Sequence, residues 1–162
     1  MSHHLREAAS ATDWQQACAL LQQVYVQGDY TTAERAAAFM TRERLAGEGA
    51  FLIAVNGADA VVGAVIFLKP DSGLIQLARD GEREFRLLAV HPDARGGGVG
   101  EALVQACIDR AKQEGAKGLV LWTQPTMPAA HRLYERLGFL RAPERDEEDP
   151  RGFTRLVYRL LW

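Results

Sequence analysis

The segment from Glu84 to Gln113 constrains the fold more than any other part of this 162-residue chain. It opens with Glu84-Phe85-Arg86-Leu87-Leu88-Ala89-Val90, a short apolar run that reads as a strand. Arg95-Gly96-Gly97-Gly98-Val99-Gly100 comes next, and Glu101 to Gln113 then carries apolar residues at helical spacing. A strand, a glycine turn and a helix start bring several unpaired backbone N–H groups to one point. The positive end of a helix dipole and an arginine meet them there. That arrangement suits a phosphate. The glycines let the main chain approach the anion without Cβ interference and supply the positive φ angles that a nest of N–H groups needs.

The spacing separates this loop from two other phosphate-binding patterns. A P-loop requires Lys-Ser or Lys-Thr directly after its last glycine, and Glu101-Ala102 stands there. The dinucleotide fingerprint G-x-G-x-x-G fails in both frames: its last place holds Glu101 counted from Gly96, and Leu103 counted from Gly98. What fits is Arg-x-x-Gly-x-Gly, formed by Arg95, Gly98 and Gly100.

The length predicts one domain over residues 1–162, large enough to bury a substantial core. A net charge of −2 argues against a dedicated nucleic-acid binder, which carries a strongly basic face. No apolar run approaches the ~20 residues of a membrane span. The N-terminus, with His3, His4 and Arg6-Glu7, does not resemble a signal peptide. Cys18 and Cys107 fall in helical patterns, as reduced core residues of a cytoplasmic protein would. Neither has a second Cys or a His at ligand spacing, so no metal site is expected.

Along the chain, Leu5 to Ala9 reads as a first strand, and Thr12 or Asp13 as the N-cap of a helix running to about Gln27. Thr31 or Thr32 opens a second helix to about Ala46. Ala50 to Val55 and Ala60 to Leu68 are strands joined at Asn56-Gly57, a hairpin signal. Lys69 to Glu82 is an irregular excursion with a short strand at Leu74 to Leu77, and Arg83 to Val90 is the central strand. A helix from Gly98 to Glu114, a strand from Gly118 to Thr123 and a helix from Met127 to Leu137 follow. Phe139 to Ala142 and Phe153 to Leu161 close the sheet around the acidic tract Asp146-Glu147-Glu148-Asp149. The order β-αα-βββ-α-β-α-ββ predicts one mixed, mostly antiparallel α/β sheet with helices on both faces.

Three runs carry a family resemblance: Leu88-Ala89-Val90-His91-Pro92, Arg95-Gly96-Gly97-Gly98-Val99-Gly100 and Leu133-Tyr134-Glu135-Arg136-Leu137-Gly138-Phe139. In order and separation they resemble the GNAT family of acetyl-CoA-dependent N-acetyltransferases, over residues from about 83 to 142. The resemblance implies the GNAT-like acyl-CoA N-acyltransferase fold. It also implies acetyl-CoA as co-substrate and direct attack of an amine on the thioester. The N–H groups from Gly96 to Glu101, including those of Gly97, Gly98, Val99 and Gly100, would hold the CoA pyrophosphate with Arg95 nearby. The pantetheine arm would lie along Leu88, Ala89 and Val90 like an extra strand, and a backbone N–H there would polarise the thioester carbonyl.

The resemblance also assigns the catalytic candidates. Tyr134 matches the family's tyrosine near the thioester sulfur, which serves as general acid. A CoA thiol has a pKa of ~8.5 and a phenol ~10, so this group is protonated at neutral pH. The plainer alternative is a tyrosine packed on its helix with the hydroxyl bonded. Glu84 stands five residues before Ala89, where some family members carry a catalytic glutamate, and is the candidate base. The alternative there is a surface glutamate paired with Arg83 or Arg86. Regular alternation puts Glu84, Arg86, Leu88 and Val90 on one face, and a bulge would change that register. Met127 stands where family members often have an Asn that bonds the pantetheine arm.

Other residues read more blandly. His91 is a loop residue, Cys107 belongs to the core, and His131 forms a helix pair with Glu135 or touches CoA. Acceptor pockets in the family draw on the first two helices and the loop before the last strand. That nominates Tyr25, Asp29, Tyr30 and residues 144–152. The acceptor would be a small-molecule amine, such as an amino acid or an antibiotic, or a peptide N-terminal amine, and the overall acidity favours a cationic small molecule over a nucleic-acid-bound target. A non-catalytic acyl-CoA sensor is the rival reading; a nucleotide-binding oxidoreductase or kinase is remote. Sheet edges and the C-terminal strand offer surfaces for a homodimer, though no residue pattern demands one.

Overall fold

The computed structural model describes residues 2–162. The elements are β1 (His3–Glu7), α1 (Ala11–Gln27), α2 (Ala33–Phe39), α3 (Arg42–Leu45), β2 (Gly49–Asn56), β3 (Val61–Leu68), β4 (Glu82–Val90), α4 (Val99–Gln113), β5 (Gly118–Thr123), α5 (Pro128–Arg136), β6 (Leu140–Arg141), β7 (Glu147–Glu148) and β8 (Thr154–Leu161). The sheet runs in the order β1-β2-β3-β4-β5-β8-β6, with β7 attached to β8. Only β4 and β5 pair in parallel; the remaining pairs are antiparallel. This is the mixed, mostly antiparallel sheet that the element order predicts.

Each face of the sheet buries its own layer. Leu20, Leu21 and Val24 of α1 pack with Ile53, Val55, Ile66 and Leu68 on one face. Leu103, Val104, Cys107 and Ile108 of α4 pack on the other with Leu52, Ala54, Val65, Phe67, Leu119 and Leu121, joined by Tyr134. Strand side chains alternate between faces, so β2 and β3 read as continuous apolar runs feeding two cores. Gly63 lets α4 settle on β3, because a Cβ there would stand 2.6 Å from Val99 Cγ1 and 2.9 Å from Leu103 Cδ1.

Local chemistry corrects several expected boundaries. Ser10 caps α1, and Asp13 is its partner in a capping box rather than the cap. Asp13 also accepts both Nη groups of Arg6, which ties β1 to the helix. The expected second helix is two, because Thr41 leaves helical geometry and caps α3. The β2–β3 turn uses the Asn56 side chain, which accepts from Ala58 N and Ala60 N, with positive φ at Asp59. Residues 74–77 form no strand; that excursion is held by side chains instead. Glu84 binds it from below, and the buried Arg145 donates to Leu77 O while pairing with Glu82.

The decisive irregularity lies in β4. Ala64 pairs with Ala89 and Ile66 with Arg86, so β4 carries one residue more than β3 across this step. Leu87 takes a φ of 61°. A leucine in that region costs about 1–2 kcal/mol and persists only where its surroundings demand it. The bulge reverses the facing of the strand beyond Arg86: Leu87 and Ala89 enter the α1 core, while Phe85, Leu88 and Val90 face α4 and α5. Arg86 and Leu88 therefore stand on opposite faces, contrary to regular alternation.

Candidate active site

Beside the bulge the sheet opens. β4 and β5 pair only at Glu82–Gly118, Arg83–Leu119 and Glu84–Val120, although the strands continue to Val90 and Thr123. Beyond Glu84 their facing edges have no strand partner, and backbone groups there are open to a ligand running alongside. Two of the β4 carbonyls meet side chains: Tyr25 Oη donates to Leu88 O at 3.2 Å, and Arg95 Nε donates to Val90 O at 3.2 Å. Leu88, Ala89 and Val90, the expected pantetheine-binding stretch, form this edge.

At the far end of the edge the chain turns through Pro92–Ala94 into Arg95 and the glycines. Gly96 and Gly98 have φ of 83° and 81°, and Gly98 is the N-cap of α4 without any side-chain cap. The first turn of α4 is thus left with free N–H donors pointing out of the helix. A Cβ built on Gly96 or Gly98 meets nothing within 4 Å, so the glycines serve the backbone conformation and leave open space in front of the turn. Gly100 makes the connection to the cleft. Its Cβ position lies 3.3 Å from Leu133 and 3.5 Å from Val90, so the loop, the strand edge and α5 meet there. These features fit a pyrophosphate at the helix start followed by an extended arm along β4.

Tyr134 is the residue of α5 that turns inward. It is 5% exposed, packs against Phe85, Phe139 and Tyr158, and lines a cavity of about 520 Å³ between the separated strands. Its hydroxyl finds no hydrogen-bond partner among the described residues, and no buried side-chain polar atom among them is unpartnered, so the hydroxyl opens on the cavity. Burial raises its pKa well above the usual phenol value. Met127 lines the same cavity and accepts from Thr123 Oγ1 through sulfur at 3.4 Å. His131 Nε2 bonds Gln124 O, and Glu135 accepts from Tyr158 Oη, so the expected His131–Glu135 pair does not form.

Glu84 is where the expectation and the structure diverge. The carboxylate is 1% exposed, is not part of the cavity wall, and accepts from Gln76 N, Leu77 N and Ala78 N at 2.9–3.2 Å through Oε1. Burial raises its pKa, and the three amides oppose that rise. It is not a surface ion pair, and its carboxylate is turned to the backbone of residues 76–78. Its visible task is to gather the turn at residues 76–78.

The rest of the cavity wall comes from four distant parts of the chain. Tyr25, Tyr30 and the 149–151 segment belong to it as expected, whereas Asp29 does not. Arg35 and Phe39 of α2, Arg86 of β4, Trp122 of β5 and Arg155 of β8 complete it. The acidic tract is divided: Glu147 and Glu148 are exposed on β7, while Asp146 and Asp149 turn to arginines. Asp149 is 5% exposed and binds Arg151 and Arg155 through both oxygens, and these partners hold its carboxyl well below the usual range. Asp146 is similarly taken by Arg141 and Val157 N. The sequence offered one signal for this wall: Arg86 sits inside an apolar central strand, where a charged side chain is uncommon.

With this geometry, the chain matches the acetyltransferase (GNAT) family over residues 10–139 and belongs to it. It is 35% identical over 91 residues to a mycothiol acetyltransferase of Actinosynnema mirum, covering 56% of this chain and 28% of that protein. An uncharacterised N-acetyltransferase of Methanocaldococcus jannaschii is 32% identical over 114 residues, covering 70% of this chain and 46% of its own length. The chain thus spans less than half the length of these curated relatives. The fold is also that of PaiA N-acetyltransferase from Thermoplasma acidophilum, solved with coenzyme A: TM-score 0.76, 14% identity, all of both chains covered.

Proposed function

We propose that the chain is an acetyl-CoA-dependent N-acetyltransferase that transfers by direct attack of an amine, with Tyr134 as the proton-bearing group at the sulfur. The observation that carries this reading is the cleft between β4 and β5. It places an unpaired strand edge, a glycine-rich helix start and a cavity-facing phenol in one continuous line. Family membership and a CoA-bound structural neighbour support it.

Acetyl-CoA, as substrate, supplies an activated acyl group whose thiolate is a good leaving group. The residues of the chain supply the rest. Free N–H groups of the α4 first turn hold the pyrophosphate, and the Leu88–Val90 edge orients the arm. A main-chain N–H at the bulge donates to the thioester oxygen as charge develops on it. As the new C–N bond forms and the C–S bond breaks, the nitrogen gives up one proton to water and the departing thiolate takes one from water. Tyr134 donates a hydrogen bond to that sulfur. Its raised pKa keeps the phenol protonated throughout and opposes full ionisation, so the stabilisation is that of a charge-assisted bond. Glu84 is given no step, because its carboxylate is committed to three amides. The amine instead enters beside several guanidinium groups, whose field lowers an ammonium pKa and favours the neutral nucleophile.

A thiol-release assay with acetyl-CoA and an amine panel tests this. Acetylated product with stoichiometric CoA supports the reading. Acetyl-CoA binding without turnover of any amine, peptide or small molecule would favour a sensor instead.

A further inference from the structure

The cavity wall holds more positive charge than acetyl transfer alone requires. Arg35, Arg86, Arg151 and Arg155 line it, against the single carboxylate of Asp149. That leaves a formal surplus of three positive charges, in a chain whose net charge is −2. Arg151 and Arg155 share Asp149, and Arg155 also lies 3.6 Å from Glu147. Arg86 has no carboxylate within ion-pair distance among the described residues. One of its nitrogens reaches Leu74 O at 3.4 Å, and its guanidinium lies 5.5 Å from the Phe39 ring centroid and 5.8 Å from that of Trp122.

The surroundings of Arg86 are built rather than incidental. Trp122 also receives Arg155, at 5.1 Å, so two guanidinium groups share one indole. Gln76 Oε1 accepts from Trp122 Nε1 at 2.7 Å and fixes that ring. Burial lowers the pKa of Arg86, and the nearby Arg151 and Arg155 push the same way, against the attraction of Glu84 behind it. A guanidinium carries five N–H donors, and a partly buried charge is costly unless it is paired. The donors of Arg86 that remain free face the cavity, since no buried polar side-chain atom among the described residues is unsatisfied.

We infer that the acceptor is a small amine that also bears a carboxylate or a comparable oxyanion, and that Arg86, assisted by Arg35 at the rim, binds this group. The inference rests on the acetyltransferase reading and names the substrate class for that same cavity. An amine bearing no anion meets net repulsion here, whereas an oxyanion compensates the surplus and anchors the amine beside Tyr134. A cavity of about 520 Å³ suits a small molecule. Among the acceptors that the sequence left open, this selects the amino-acid-like ones, because the charge of the cavity is opposite to that of the chain.

The test is a kinetic panel with saturating acetyl-CoA. Small amino acids are offered as the free acid, the carboxamide, the decarboxylated amine and the aminophosphonate. The acid or phosphonate form should exceed its uncharged counterparts in kcat/KM by about 10- to 100-fold, the range for one charge-assisted interaction. Comparing the acid with the phosphonate identifies which oxyanion is preferred. Arg86→Gln should erase that preference through KM, with acetyl-CoA affinity unchanged. Arg35→Gln, on an exposed helix, should reduce it in part and guards against a folding defect in the central strand. If acetyl-CoA binds and the amides or decarboxylated amines react as well or better, the substrate class is wrong while acetyl transfer stands. If acetyl-CoA does not bind, both fall. If it binds and no amine reacts, the same acid and amide pairs are titrated against the CoA-loaded protein. Tighter binding of the acid, lost in Arg86→Gln, sustains the inference, and equal or absent binding overturns it.

Discussion

The two ends of the cleft are made of different materials. At the helix start the recognition surface is main chain: glycines with positive φ, uncapped N–H groups and open space before them. In the cavity it is side chain: arginines from α2, β4, β8 and the preceding loop, set against the aromatic rings of Phe39 and Trp122. A main-chain site must be contiguous, because neighbouring N–H groups build it. A side-chain site is assembled from distant segments, and any one of them can change while the fold persists. The first suits the constant part of a reaction and the second the part that varies.

The comparison breaks most visibly if damage to one end spreads to the other. Gly98→Val places a β-branched residue at a φ of 81°, where only glycine is comfortable. Acetyl-CoA affinity should fall by about 100-fold through displaced donors, and the strain in the folded state should lower the melting temperature as well. Calorimetry and thermal unfolding check this together. Next in size, Glu84→Ala leaves the amides of residues 76–78 without a buried acceptor and should cost about 3 kcal/mol in denaturant unfolding.

Tyr134→Phe tests the junction between the two ends. Turnover should drop about 10- to 100-fold, the worth of a hydrogen bond to a charged sulfur, while acetyl-CoA affinity stays the same. Single-turnover kinetics read this directly, and an unchanged chemical step would remove Tyr134 from the reaction.

The smallest effect belongs to Glu84→Gln, which keeps an acceptor oxygen for the same amides. The pH profile of kcat/KM should not move, and a lost acidic limb would restore Glu84 as the base. Stability supplies the sign. Burial raises the folded-state pKa of Glu84, so its favourable contribution is full below the unfolded value, ~4.3, and is lost as pH rises through the folded value. Glutamine does not titrate, so the variant should gain stability relative to the natural chain as pH rises through that window.

The same contrast explains what the sequence made legible. The glycine loop, the β4 strand and the Tyr134 helix could be read because each is a contiguous pattern, and the element order came from periodicity. Two things escaped. The sequence allows for a bulge in this strand but does not place it: it sits at Leu87, a leucine in a glycine-like conformation that no local signal announces, and it reversed the faces of Leu88 and Val90. Glu84 looked like a base because its distance from Ala89 along the chain was right. Its actual partners come from a turn whose path is set by tertiary contacts with Glu84, Arg145 and Glu82. The arginine wall escaped for a related reason: Arg35, Arg86 and Arg155 are far apart in sequence, and only the fold brings them to one cavity.

The most direct measurement is calorimetric titration of the protein with acetyl-CoA, run beside CoA, NAD and ATP. Micromolar binding of acetyl-CoA and CoA, lost in Gly98→Val, with no comparable binding of NAD or ATP, is the predicted result. A folded protein that binds neither CoA species would mean the glycine loop is only a turn and would contradict the assignment of the cleft.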